Sequence, residues 1–335
     1  MKAFTNTNAR DVRHAVTLLK QARDQGRTAS IAGGGSDLLG MMKERLVMPD
    51  MVVRLATIKN LDTLKLTNPG ATIGGQMTVA AVAAHPLIRT EYAVLAEAAE
   101  SVATPQIRNV ASLAGNLCQR PWCWYYRNGF KCLKNGGTTC YSVTGENEFH
   151  AIFGGGPSYI VHPSDIAPAL VALEATFRIA GPSGDRLVPA GEFFTLPTID
   201  SSRENVLTDG EILAEVVLPR RGAASIRSTY HKILDREAWT HAVVSAAVVM
   251  DMDQGICRRA RVVLGGVAPI PWRLPEVERM LTGQRVTPDL AARAGDAAVS
   301  GARPLAKNGY KVPMVRAMVA RTIVDIADRG PRIAN

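Results

Sequence analysis

The stretch Ala32-Gly33-Gly34-Gly35-Ser36-Asp37-Leu38-Leu39 decides how the chain is to be read. It follows a short apolar run, Ala29 to Ile31, and feeds a helix-like piece ending near Leu46, so the glycines stand where a strand turns abruptly into a helix. In that context successive backbone N–H groups can surround a phosphate, because glycine permits tight dihedrals and close backbone approach. The pattern is neither G-x-G-x-x-G nor G-x-x-x-x-G-K-[ST], which sets aside the Rossmann and nucleoside-triphosphatase readings. On these residues alone, a phosphate-binding turn and a ligand-free strand-to-helix turn both stay open.

Working outward, an amphipathic helix from about Asp11 to Ala22 precedes the glycines, and Pro49-Asp50 leads into a second strand, MVVRLATI. Residues 1–60 therefore read as a small α/β unit. A second α+β unit, 61–221, opens with a strand, ATIGG, ending at Gly75 and a helix that Thr78 can cap. It resumes after an irregular segment at about 118–158 with His162-Pro163-Ser164-Asp165 and an apolar helix, and runs on to the strand EILAEVVLP. From 222 to 335 the chain turns to β-rich runs, IRSTYHKI, AVVSAAVVM and RARVVLGGVAP, the last two joined by DMDQG, and then to amphipathic helices over 287–329.

The 335 residues carry 39 Lys and Arg against 30 Asp and Glu, a formal charge of +9, which favours an anionic ligand or an acidic partner without choosing between them. The basic residues are scattered and not interleaved with aromatics, which argues against nucleic-acid binding. No apolar run reaches the about 18 residues of a membrane span. The start lacks the roughly 7 to 15 residue apolar core of a signal peptide, so the default expectation is a cytoplasmic protein.

Two further segments carry chemistry. Residues 104–118, TPQIRNVASLAGNLC, read as a loop dense in hydrogen-bonding groups, either a cofactor cradle or a well-bonded turn. Two cradle-like segments in one region favour a dinucleotide such as FAD over a lone phosphate. Four of the 5 cysteines follow as Cys118-x4-Cys123-x8-Cys132-x7-Cys140, among Trp122, Trp124, Tyr125, Tyr126 and Phe130. Zinc or a [4Fe-4S] cluster could join four thiolates. The absence of paired C-x-x-C knuckles favours the cluster, and unbound thiols remain open. Asp165 reads either as a helix cap or as a carboxylate facing a flavin, and Lys232 as a solvated strand lysine or a positive charge near one. His162, His231 and His241 have no metal spacing.

Taken together, these residues resemble the FAD-binding, or medium, subunit of the xanthine dehydrogenase and molybdenum hydroxylase family. The likeness is strongest to subunits of bacterial aldehyde oxidoreductases and 4-hydroxybenzoyl-CoA reductases that carry an extra [4Fe-4S] cluster. The resemblance implies an α+β protein: a two-subdomain FAD-binding fold of the PCMH/vanillyl-alcohol-oxidase-like type, followed by an α+β C-terminal domain. It implies FAD contacts from Ala32, Gly33, Gly34, Gly35, Ser36, Asp37 and Leu38, and from Thr104, Ile107, Arg108, Asn109, Ala111, Ser112, Gly115 and Asn116. Asp165, Leu213 and Lys232 complete the implied flavin set, and Cys118, Cys123, Cys132 and Cys140 the cluster set. The sequence departs from that branch at Trp122, where the branch has arginine, and at Ser158, where it presents a cysteine. Either Cys118 supplies the fourth thiolate, which is the expectation here, or Ser158 or solvent completes the site. The implied activity is passage of electrons from [2Fe-2S] centres to FAD and a small-molecule acceptor. A large molybdenum-cofactor subunit oxidises an aldehyde or N-heterocycle, and a small [2Fe-2S] subunit relays the electrons. Export with a signal-bearing partner would place the assembly in the periplasm. The competing classes are a stand-alone flavin oxidoreductase and a zinc-stabilised scaffold subunit.

Overall fold

The computed structural model describes residues 1–68, 70–220, 225–236 and 240–328. Strands β1 (Thr5–Asn8), β2 (Ala29–Ala32) and β3 (Met51–Arg54) form a parallel sheet in the order β1-β3-β2. The crossover from β1 is the helix Val12–Asp24, started by Asp11, whose Oδ1 accepts from the His14 amide at 2.7 Å. Its apolar stripe, Ala15, Val16, Leu19 and Ala22, is buried against this sheet and against Ala180, Ile212 and Ala214 of the next.

The second sheet is antiparallel. Strands β4 (Leu64–Leu66), β5 (Ala71–Gly74), β6 (Thr176–Gly181), β7 (Gly184–Pro189) and β8 (Ile212–Leu218) lie in the order β4-β5-β8-β6-β7. Helices Ala93–Glu100 and Ile166–Ala172 cover one face, and Phe177 packs edge-on against Phe193 with ring centroids 4.9 Å apart.

In the third sheet β9 (Ile226–Ile233), β10 (Val244–Asp253), β11 (Ile256–Gly265) and β12 (Trp272–Arg273) run antiparallel in the order β12-β11-β10-β9. DMDQG closes the β10–β11 hairpin, with both Gln254 (φ 46°) and Gly255 (φ 84°) left-handed as a primed turn requires. Strand β10 is buried on both faces. Ala247 and Val249 join the core of the second unit, whereas Ala246, Val248 and Met250 face a separate core made with helices Pro275–Leu281, Pro288–Ala297 and Lys311–Asp328. The third unit is therefore welded to the second through apolar contact. The expected boundary at 221/222 falls on 221–224, outside the described residues, as does the tail 329–335. Among the described residues no helix is long and apolar enough to cross a membrane.

Because Phe177 is 0% exposed between Phe193 and Phe194, Phe177→Ala leaves a cavity in the core that supports the second sheet. A loss of about 3–5 kcal/mol is expected, read as a lowered urea midpoint with little change in slope.

Candidate functional site

The glycine loop joins β2 to the helix Leu38–Lys43. The successive amides from Gly33 to Leu38 donate to no acceptor among the described residues. The loop is partly open to solvent, so these N–H groups are left available to an external acceptor such as an anion. Its other side runs hard against the second segment. A Cβ on Gly34 would lie 1.7 Å from the Val110 carbonyl oxygen, and one on Gly33 would lie 2.4 Å from Ser112 Oγ. Only hydrogen fits there, and Gly35 takes φ +75°, so the glycines are required by contact as well as by turn geometry.

The segment 104–118 is not the loop that its composition suggested. It folds into two short helices, Pro105–Val110 and Leu113–Leu117, and its polar side chains are in part their caps. Thr104 Oγ1 accepts from the Ile107 amide and Ser112 Oγ from the Gly115 amide. Amides of Val79, Leu113 and Ala114 bond to the carbonyls of Ala111, Met77 and Gly75 at 2.9 Å, which stitches the segment to the end of β5. Arg108 donates to the Val102 carbonyl, Ile107 is half-buried, Ala111 is buried, and Asn109 and Gly115 are exposed. Asn116 Oδ1 accepts from Ser164 Oγ at 2.6 Å. Leu213, buried on β8, presents its carbonyl to Gly75.

Ser164, not Asp165, caps the helix Ile166–Ala172 through the Ala167 amide. Asp165 is thereby free for another role. Its Oδ2 pairs with Lys232 Nζ at 2.8 Å and its Oδ1 accepts from Tyr230 Oη at 2.8 Å. Lys232 is no solvated strand lysine, since its side chain is 4% exposed and also donates to the carbonyls of Ser101 and Thr240. Tyr230 and Lys232 project from the same face of β9, two residues apart. Burial and the adjacent Asp165 charge push the Tyr230 hydroxyl well above its ordinary range, which leaves it a donor.

The cysteine segment lies against the glycine loop. Arg127 Nη2 pairs with Asp37 Oδ1 at 2.7 Å, and the Arg120 amide donates to Asp37 Oδ2 at 2.9 Å. Arg120 and Lys134 converge on the buried carboxylate of Glu204 at 2.7 and 3.0 Å. Cys123, Cys132 and Cys140 line one small cavity together with Ser158, which is 2% exposed. The structure does not bring Cys118 there. Cys118 closes the helix Leu113–Leu117 and packs at the edge of the second unit's core, where burial pushes its thiol up to about 12. The fold-back of residues 154–160 delivers Ser158 in its place. His150 Nε2 lies 3.4 Å from Cys123 Sγ, and burial pushes the Cys123 thiol up to about 11. All five cysteines are free, and among the described residues no three metal-ligating side chains converge tightly enough to hold a single ion.

Comparison with known proteins places this arrangement. Residues 2–221 match the family model described as the FAD binding domain in molybdopterin dehydrogenase. The chain belongs to that FAD-binding subunit family. Residues 229–326 of the subunit match the CO dehydrogenase flavoprotein C-terminal domain. The subunit is 31% identical to the aldehyde oxidoreductase FAD-binding subunit PaoB of Escherichia coli K12, over 97% of this chain and 98% of that one. It is 27% identical to the carbon monoxide dehydrogenase medium chain of Hydrogenophaga pseudoflava, over 94% and 93%. A solved carbon monoxide dehydrogenase structure from that organism superposes with a TM-score of 0.75 at 26% identity, covering 97% of this chain and 96% of the other. The FAD subunit is thus an oxidoreductase component of the molybdenum hydroxylase family, and FAD is its cofactor. The run of amides at Gly33 to Leu38, which find no acceptor among the described residues, fits the pyrophosphate of that cofactor.

Sequence reasoning missed Arg127, Arg120, Glu204 and Tyr230. Tyr230 alone left a signal, its i, i+2 relation to Lys232. Removing one partner of the buried Asp165–Lys232 pair leaves an uncompensated charge or donor, so Asp165→Asn and Lys232→Met are each expected to cost about 3–5 kcal/mol. The double variant is expected to cost clearly less than the sum, as a double-mutant cycle by urea unfolding reads directly.

Proposed function

We propose that this FAD-binding subunit is the electron-exit component of a heterotrimeric molybdenum hydroxylase that oxidises an aldehyde. The reading is supported by the 31% identity to the FAD-binding subunit of an aldehyde oxidoreductase across nearly the whole chain. Its partners in this reading are a large molybdenum-cofactor subunit and a small [2Fe-2S] subunit, and the relatives' description as medium chains fits such a division. When bound, FAD supplies the chemistry, accepting electrons from the iron–sulfur side and releasing them to a small-molecule acceptor. The chain's own residues bind, orient and set charge.

In this proposal the amides of Gly33, Gly34, Gly35, Ser36, Asp37 and Leu38 hold the pyrophosphate, with Ala32 ending the strand that aims them. Thr104, Ile107, Arg108, Asn109, Ala111, Ser112, Gly115 and Asn116 form the second wall, and Leu213 backs it from β8. Lys232, fixed by Asp165 and two carbonyls, holds a cation at the flavin end without leaving it free to wander. That cation comes from the third sheet, so in this reading the FAD site as a whole draws on all three units.

Cys123, Cys132, Cys140 and Ser158 are proposed to hold a [4Fe-4S] cluster. What supports this is one cavity lined by three thiols and a buried hydroxyl. The four-cysteine set with Cys118 is given up because Cys118 packs elsewhere.

The complex purified without oxygen is expected to carry one FAD per subunit, and a folded complex free of flavin would refute the main reading. Iron and acid-labile sulfide are expected to survive Cys118→Ser, to be lost in Cys132→Ser, and to be retained in Ser158→Cys. Iron lost in Cys118→Ser, or absent from the wild-type complex, would refute the cluster assignment.

A further inference from the structure

We propose that Arg127, carried by the cysteine segment, is the counter-ion that allows the glycine loop to accept the flavin pyrophosphate. Docking of that segment and binding of FAD are then one linked equilibrium. The inference rests on the reading that the amides of Gly33 to Leu38 receive the pyrophosphate.

The loop that offers its amides to an anion also contains a carboxylate. An ionised Asp37 inside a phosphate cradle repels its own ligand unless it is neutralised, and the repulsion is strong where water is partly excluded. Both Asp37 oxygens are engaged by the cysteine segment, Oδ1 by Arg127 Nη2 at 2.7 Å and Oδ2 by the Arg120 amide at 2.9 Å. The side chains of Arg127 and Asp37 are 11% and 18% exposed, so solvent screens the pair only weakly. The neighbouring cations are committed elsewhere, because Arg120 and Lys134 both pair with Glu204. Arg127 is therefore the side chain whose charge answers Asp37.

Its position is set by the cysteine segment and not by the loop. Arg127 donates to the carbonyls of Pro121 and Arg120, each at 2.8 Å, and its guanidinium lies 4.3 Å from the Trp122 ring centroid. It stands on the helical turn Trp124–Arg127 between Cys123 and Cys132, so a change in the order of that turn moves the counter-ion. By linkage, whatever holds the turn in place strengthens flavin binding, and bound flavin strengthens the turn in equal measure.

The test uses the whole complex, stripped of flavin and titrated with FAD by flavin fluorescence, with circular dichroism to confirm folding. Arg127→Gln is expected to weaken FAD binding by about tenfold or more, and more at low salt than at high salt. Adding Asp37→Asn to that variant is expected to restore most of the affinity, because it removes the repelling charge. A merely structural role for Arg127 would not be rescued in this way. Undiminished affinity in Arg127→Gln, or a loss that Asp37→Asn does not relieve, overturns the proposal. If Asp37→Asn and Asp37→Lys both leave FAD affinity at its wild-type value, the loop is not the pyrophosphate site, and the parent reading fails with it.

Discussion

The Val110 carbonyl oxygen occupies the place where any side chain at position 34 would begin. From that single close approach much of the site follows. The loop lies along another backbone without pairing to it, so its own amides remain unspent on one side while the other side is sealed. The contact also joins the parallel sheet of the first unit to the antiparallel sheet of the second, because the segment bearing Val110 is itself bonded to the end of β5. In the proposed reading, the anion cradle is a by-product of how two sheets are brought together.

Charge is distributed through the three units in largely buried, paired form. Asp165 with Lys232, Asp37 with Arg127, and Glu204 with Arg120 and Lys134 each tie segments distant in sequence. Such pairs contribute little net stability once desolvation is counted, and their value lies in fixing orientation. A lysine held by a carboxylate and two carbonyls cannot swing, and a loop carboxylate held by arginine is turned toward the cysteine segment. The overall excess of positive charge matters less than these local assignments.

Much of the fold was legible in the sequence where local chemistry and final structure agree. The glycine run, the helix beginning at about Asp11, the Thr78 cap and the DMDQG turn each stand where their residue types require. The short edge strands β4 and β7 left no such mark, since β4 spans three mostly exposed residues and β7 alternates weakly between glycine and proline ends. Residues 104–118 were misread because cap and turn chemistry draw on the same side chains, and helices of five and six residues show little periodicity. The cysteine set misled for a different reason. Spacing made Cys118 the neighbour of Cys123, but a helix end holds it in the core while the chain folds back to deliver Ser158. Cavity linings made by tertiary return are not written in local spacing. Arg127 belongs to the same class, since nothing in its neighbours announces a partner ninety residues away.

The most direct test of the central claim, that the seam between the first two sheets is the flavin's phosphate cradle, is a crystal structure of the FAD-loaded complex. The account predicts pyrophosphate density against the amides of Gly33 to Leu38, with Asp37 still turned to Arg127. Pyrophosphate density bound elsewhere, with those amides facing only water, would contradict it.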